Sequence, residues 1–204
     1  VKVLDYTKMS VLTAWFGIAA FAFAVYFYFS GYSEMARGIA KIFGFEIPIN
    51  FNYPYISKSV VEFWRRWNIS ITVWYKTYLI NPIWRKSKSA LVTMLKLLLL
   101  WGVMGLWYGG KINYLFWGLL IGIFIIIEKL FLSTLLEKLP NFLKRVYTIF
   151  VVFCGWVFFA LEDIAKIPQY LRAMFFGNGL PVETLFSGGD NLLFDSSFLY
   201  LFAS

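Results

Sequence analysis

Long apolar runs separated by short polar breaks set the pattern of this chain. Residues 11–29 carry no charge, and about 19 residues are enough to cross a hydrocarbon core roughly 30 Å thick. Aromatic residues crowd the second half of that run (Phe21, Phe23, Tyr26, Phe27, Tyr28, Phe29). Ser30-Gly31-Tyr32-Ser33 then predicts a break, with Ser33 capping a short helix through Glu34, Arg37 and Lys41 that ends near Gly44. Pro48 and Pro54 push the residues before them toward extended geometry, so 46–55 is expected to be non-helical. From Ser57 or Ser59 to Ile80 a further helix is predicted, with Phe63, Trp67, Ser70 and Trp74 on one stripe and Glu62 and Arg66 an i,i+4 pair on another. Its charge load marks an amphipathic helix lying at the interface or partly inserted, rather than a simple span. Asn81-Pro82 is read as its break and 85–89 as a basic turn.

Three more apolar runs follow. Residues 91–107 form a Leu-rich span with a lone Lys96, which either snorkels or faces a cavity. Gly109-Gly110-Lys111 interrupts the pattern, and 114–127 is the next span, closed by Glu128-Lys129. Residues 130–145 read as a connector in which Pro140-Asn141 starts a helix, and 146–161 as the last span, closed by Glu162-Asp163. These three acids sit at predicted helix ends and are expected to be solvated. A short surface helix is predicted over 164–176, a Gly-rich loop over 177–190 and the start of another helix over 191–204. The pattern defines an all-α polytopic membrane protein: a bundle or ring of about four or five transmembrane helices with one amphipathic interfacial helix. It is expected to form a single membrane domain over 1–204. Both ends, VKVLDYTKMS and FLYLFAS, read as cut, so a fragment of a longer chain, truncated at each end, is expected.

Composition agrees. Hydrophobic residues make up 60% of the 204, against about 45–50% in soluble domains. The net charge of +8 would ordinarily raise nucleic acid as a partner. Here the basic residues lie between apolar runs, so a lipid bilayer with anionic headgroups accounts for them and nucleic acid is set aside. Lys58, Arg65, Arg66, Lys76, Arg85, Lys86 and Lys88 stand against Glu62 alone over 57–89, which places that stretch toward the cytoplasmic face. Cys154, the single cysteine, sits in an apolar run and reads as a small buried thiol. With no histidine in the chain, zinc or haem ligation is not expected.

Particular motifs carry more. GYSEMARGIAKIFGF (31–45), NFNYPYISKSVVEFWRRWNIS (50–70) and GLWYGGKINYLFWG (105–118), supported by GWVFFALEDIAKIPQYLRAMF (155–175), resemble the membrane-bound O-acyltransferase family. The nearest branch is the bacterial one that acetylates alginate; teichoic-acid D-alanyl transfer is more distant. The resemblance implies a ring of tilted helices around a tunnel in a bacterial inner membrane, crossed by multiple passes. It implies no bound cofactor. An acyl donor, acyl-CoA or an acyl-carrier protein, would arrive as a substrate from the cytoplasm. The acceptor would be a hydroxyl on an exported polysaccharide or an extracytoplasmic partner protein.

The family pattern puts a histidine after the Trp of Gly-Leu-Trp, and chemistry explains why: a sugar hydroxyl needs a base, and imidazole titrates near working pH. Here Tyr108 occupies that position. A second family histidine follows the Trp-Arg-Arg-Trp run, where this chain has Asn68. The Asp that precedes Phe-Ser-Gly-Tyr is replaced by Tyr28, and the Pro-Leu-Gly-Gly turn by Asn81-Pro82-Ile83-Trp84. With an unperturbed pKa near 10, only about one tyrosine in a thousand is ionised at neutral pH. Tyr108 could instead donate a hydrogen bond to a developing oxyanion, and Lys111 could lower its pKa by proximity. Trp64, Trp67 and Trp107 either line the acyl path or anchor at the interface, the second being the preferred reading for Trp64. Arg65 and Arg66 either grip a phosphate-bearing donor or touch headgroups. Asn113, polar at the start of a span, is expected to hydrogen-bond between helices. The alternative to an active enzyme is a non-catalytic protein of the same fold that binds lipid, acyl donor or a secreted partner. A transporter would need charges along a membrane route or broken spans in matching halves; Lys96 is alone and no repeat is present.

Overall fold

The computed structural model describes residues 10–84 and 89–177, which are helical with no strand among them. The expected basic turn at 85–88, the loop beyond Gly177 and the helix over 191–204 lie outside those residues.

Ser10 is extended and its hydroxyl accepts the N–H of Thr13, which starts α1, Val11–Ile42. This helix runs 32 residues without a stop at Ser30–Ser33, so the predicted break is corrected. A glycine inside a helix costs only about 1 kcal/mol. The stop comes where expected, at Gly44, which takes φ +81°.

The chain then folds back along α1. Arg37 Nε donates to the Ile47 carbonyl at 3.0 Å, Asn50 Nδ2 to Ser33 Oγ at 3.1 Å, and Tyr55 OH to the Ala22 carbonyl at 2.8 Å. A single 3-10 turn, Pro54–Ile56, leads into α2, Val60–Arg66, capped by Ser59 Oγ accepting the Glu62 N–H. The predicted continuous helix over 57–80 is broken at Asn68, and α3, Ile69–Tyr75, follows it. The predicted stripe divides there: Phe63 and Trp67 are buried, whereas Ser70 and Trp74 are exposed. Asn81-Pro82 does not end the segment, a second correction. A wide π turn, Lys76–Ile80, in which Asn81 N–H reaches the Lys76 carbonyl, passes into α4, Asn81–Trp84. Proline lacks an N–H and crowds the preceding turn, and a widened turn relieves both.

A hairpin of two membrane-length helices comes next: α5, Ala90–Gly109, and α6, Ile112–Ile127, joined through Gly110 at φ +66°. Their contact is backbone to backbone. A Cβ on Gly105 would stand 2.1 Å from the Tyr114 carbonyl oxygen, and one on Gly118 2.1 Å from that of Trp101. Helices that associate inside lipid gain from this close approach. The expected connector over 130–145 is helical in its first half. A π turn, Glu128–Leu132, and α7, Ser133–Lys138, prolong α6. Pro140 then precedes α8, Asn141–Ala160, as predicted. After a 3-10 turn, Ile164–Lys166, α9, Ile167–Phe176, packs on α1. Tyr170 OH donates to the Ala14 carbonyl and Trp15 Nε1 to the Met174 carbonyl, both at 2.8 Å.

The core lies where Ala14, Ile18 and Ala22 of α1 meet Trp117 and Ile121 of α6, Val151 and Trp156 of α8, and Phe63, Trp64 and Trp67 from the amphipathic segment. That segment is therefore inserted on its apolar face. Glu62 anchors its polar face: its carboxylate accepts the Lys58 N–H at 2.8 Å and pairs with Arg66 at 2.8 Å. Burial raises the Glu62 pKa, but the Lys58 and Arg66 hydrogen bonds and the Arg66 and Arg65 charges outweigh it and hold the group below its ordinary value of 4.5. A depressed carboxyl contributes stability in full above its ordinary value and loses it as pH falls through the lowered one. Melting curves recorded downward from about pH 4.5 should accordingly show a shallower acid limb for Glu62→Gln than for the parent.

Candidate transfer site

Asn68 is the first residue of the site to be fixed. It adopts φ +45° and ψ +60°, a left-handed geometry that asparagine tolerates better than most residues. Asn50 holds the break open. Its carbonyl accepts the Ile69 N–H at 2.8 Å, and its side-chain oxygen accepts the Ser70 N–H at 2.9 Å and hydroxyl at 3.0 Å. The first turn of α3 is thus capped from the returning loop, and the Asn68 side chain is left for another task. It donates through Nδ2 to the Tyr108 hydroxyl oxygen at 3.3 Å.

Tyr108 is the penultimate residue of α5. Its ring meets Trp117 edge-on at 5.3 Å and Phe159 at 6.1 Å, and it packs against both hydrophobic clusters of the protein. Tyr75, in the smaller cluster, donates its hydroxyl to the Leu100 carbonyl, about two helical turns before Tyr108 along α5. Trp64 is buried, with rings of Trp101 and Trp117 at 5.4 and 5.3 Å. The preferred reading of Trp64 as an interfacial anchor is therefore corrected: α2 faces α6 and α8, and the indole points inward. Trp64 and Tyr108 share Trp117 as a neighbour, and Trp67 contacts Trp64 and Trp156.

The other predicted residues separate. Trp107, 64% exposed, turns outward although its ring touches that of Tyr108 at 5.5 Å. Arg65 is exposed, and Arg66 is engaged by Glu62 and the Asn52 carbonyl. Asn113 is fully buried and donates to the Phe158 and Leu161 carbonyls at 3.1 and 3.2 Å, the interhelical bond its position predicted. Lys111 does not serve Tyr108. It pairs at 2.6 Å with Glu162, just beyond the end of α8, because φ +66° at Gly110 turns the chain away from α5 before Lys111.

Two residues were missed by sequence reasoning. Asn50 had no signal beyond being polar in a loop. Glu128, expected to be solvated, is 3% exposed and accepts the N–H groups of Val60 at 2.6 Å and Val61 at 3.1 Å. The first-turn N–H groups of a helix have no partner within it, and a carboxylate is the strongest acceptor available to them. Its place at the end of an apolar run suggested a helix end. Nothing in the local sequence could show that the run continues as helix with the carboxylate facing inward.

Four helices among the described residues are long and apolar enough to cross a membrane, and with the half-inserted segment they define a polytopic membrane protein. The sequence profile of the membrane-bound O-acyltransferase family matches residues 2–164, and the chain belongs to that family. It is similar to a probable alginate O-acetylase of Pseudomonas aeruginosa, 39% identical over 162 residues, which cover 79% of this chain and 31% of the relative. A peptidoglycan O-acetyltransferase of Helicobacter pylori is 32% identical over 85% of this chain and 34% of its own length. A teichoic acid D-alanyltransferase of Bacillus subtilis is 35% identical over 47% of this chain and 26% of its own length. The chain thus spans about a third of the length of the curated relatives it matches most fully.

Proposed function

We propose that this chain carries the transfer centre of an O-acyltransferase that moves an acyl group from a thioester donor to a hydroxyl of an exported polysaccharide or other cell-envelope polymer. The observation that carries this reading is the Asn68–Tyr108 hydrogen bond. It joins the two positions at which the family resemblance expects histidines, from elements that are 40 residues apart in sequence. The alginate, peptidoglycan and teichoic acid names of the relatives support the acceptor class. The donor, acyl-CoA or an acyl-carrier protein, is a substrate, and Arg65, which is exposed, is the residue assigned to its phosphate. The basic segment faces the cytoplasm of a bacterial inner membrane.

In the reaction the acceptor oxygen bonds to the thioester carbonyl carbon, the carbon–sulfur bond breaks, and the acceptor proton leaves on the thiol. Negative charge gathers on the carbonyl oxygen before the bond breaks. Tyr108 accepts from Asn68 and retains its own proton to donate to that oxygen, while Asn68 fixes the direction in which the hydroxyl points. A neutral phenol is suited to this task and unsuited to act as base. The substitution of a phenol for imidazole also supports the second reading, a non-catalytic protein of this fold that binds the donor or a secreted partner.

The test is labelled acyl transfer by the full chain in liposomes. Tyr108→Phe removes one oxygen and should lower kcat by about 10²- to 10³-fold, the usual loss for one oxyanion donor, with little change in KM. Equal transfer by parent and Tyr108→Phe would overturn the role given to the hydroxyl.

A further inference from the structure

We propose that Glu128 is a positioning residue that sets Asn68 against Tyr108; this rests on the reading of that pair as the transfer centre. The α5–α6 hairpin is a single stiff unit, because Gly105 and Gly118 leave no space between its backbones. Beyond the Tyr75–Leu100 bond from α3, it touches the amphipathic segment with polar groups at the two ends of α2. Near the turn of the hairpin, Tyr108 meets Asn68 just after the last residue of α2. At the far end of α6, Glu128 grips the first two residues of α2 through their N–H groups. The 16 residues of α6 separate these ends by ~24 Å. The aromatic contacts of Trp64 with Trp101 and Trp117 lie between them.

Ring packing is not directional enough to fix how far α2 slides along the hairpin. Two N–H hydrogen bonds accepted by one carboxylate are. A slide of 1 Å would carry Asn68 from 3.3 Å to beyond hydrogen-bond range of Tyr108. The π turn beginning at Glu128 supports the assignment. It adds a residue to the turn that follows the carboxylate, a device that recurs at functional positions.

The test uses the full chain in liposomes, with Cys154→Ala so that introduced thiols are read alone. Asn68→Cys and Tyr108→Cys together report the spacing through a short bifunctional thiol reagent. With Glu128 present, cross-linking is rapid. With Glu128→Gln, which keeps the size but offers the helix one acceptor oxygen in place of two, it should slow about tenfold. Val60→Pro removes one donor at a helix position that accepts proline and should slow it in the same direction. In the uncross-linked background with Asn68 and Tyr108 intact, Glu128→Gln should lower kcat by about 10²-fold with KM for the donor unchanged. Unaltered cross-linking in both variants overturns the positioning role, as does slower cross-linking with unaltered kcat. Slower cross-linking in a protein whose parent transfers no acyl group leaves Glu128 in its role and removes the transfer reading instead.

Discussion

Tyr108→His should raise acyl transfer by roughly 10²- to 10⁴-fold, the contribution of a positioned general base. Imidazole has an unperturbed pKa near 6.5, so at neutral pH most of it is free to take the acceptor proton while attack proceeds. The phenol can only stabilise the charge that forms. The site is prepared for the exchange, because Asn68 Nδ2 already points at residue 108 and its amide can rotate to accept a ring N–H instead. Histidine is smaller than tyrosine, and the contacts to Trp117 and Phe159 would loosen. That loss bears on stability more than on chemistry. Radiolabelled acetyl counted on polymer, with thermal melting recorded beside it, separates the two. A variant that folds yet transfers no faster than the parent would show that this pair is not where the proton moves. Transfer seen only with histidine would identify the parent as the non-catalytic member of the two readings.

The largest structural effect is expected at Gly118. Leucine there would place its Cβ 2.1 Å from the Trp101 carbonyl oxygen and 3.1 Å from the Gly105 nitrogen. Backbone atoms cannot rotate away as a side chain can. The hairpin must open by more than 1 Å along its length, against an overpacking cost of about 1–3 kcal/mol even where side chains can yield. Gly118→Leu should therefore lower the recovery of folded protein from detergent severalfold and depress its melting temperature. Gly31→Ala, where a Cβ meets nothing within 4 Å, should be neutral or slightly stabilising, since alanine is the better helix former by about 1 kcal/mol. If Gly118→Leu folds as well as Gly31→Ala, the close packing of α5 and α6 does not hold the protein together.

How much of this was legible in the sequence differs by element. The four long helices were, because hydrocarbon demands uninterrupted apolar runs and the runs are there. Their ends were less so. Ser30-Gly31-Tyr32-Ser33 carries the residues of a soluble helix stop, yet a glycine cost of about 1 kcal/mol does not suffice to stop one. Asn68 gave the opposite error. Nothing in Trp67-Asn68-Ile69 looks like a break, since the left-handed turn is imposed by Asn50, 18 residues earlier by numbering. The pairing of residues 68 and 108 came from the family resemblance, not from periodicity, which has no means of relating α3 to α5. Trp64 and Glu128 were misjudged for one reason. In an apolar chain, the pattern that marks the inside of a soluble helix no longer distinguishes protein from lipid. A tryptophan or an acid then cannot be assigned to core or boundary until the partner helix is known.

The length of α1 bears on how the site meets its surroundings. Its 32 residues measure ~48 Å, while the oily layer is about 30 Å deep. A third of the rod, bearing Glu34, Arg37 and Lys41, is surplus to crossing and stands as a stalk. The returning loop is tied to that stalk through Ser33 and Arg37, and it is this loop that holds Asn68 in its turn. Protein ties rather than headgroups thus set the elevation of the 68–108 pair, so in thinner or thicker bilayers stalk and pair should rise or sink together with the 68–108 spacing undisturbed.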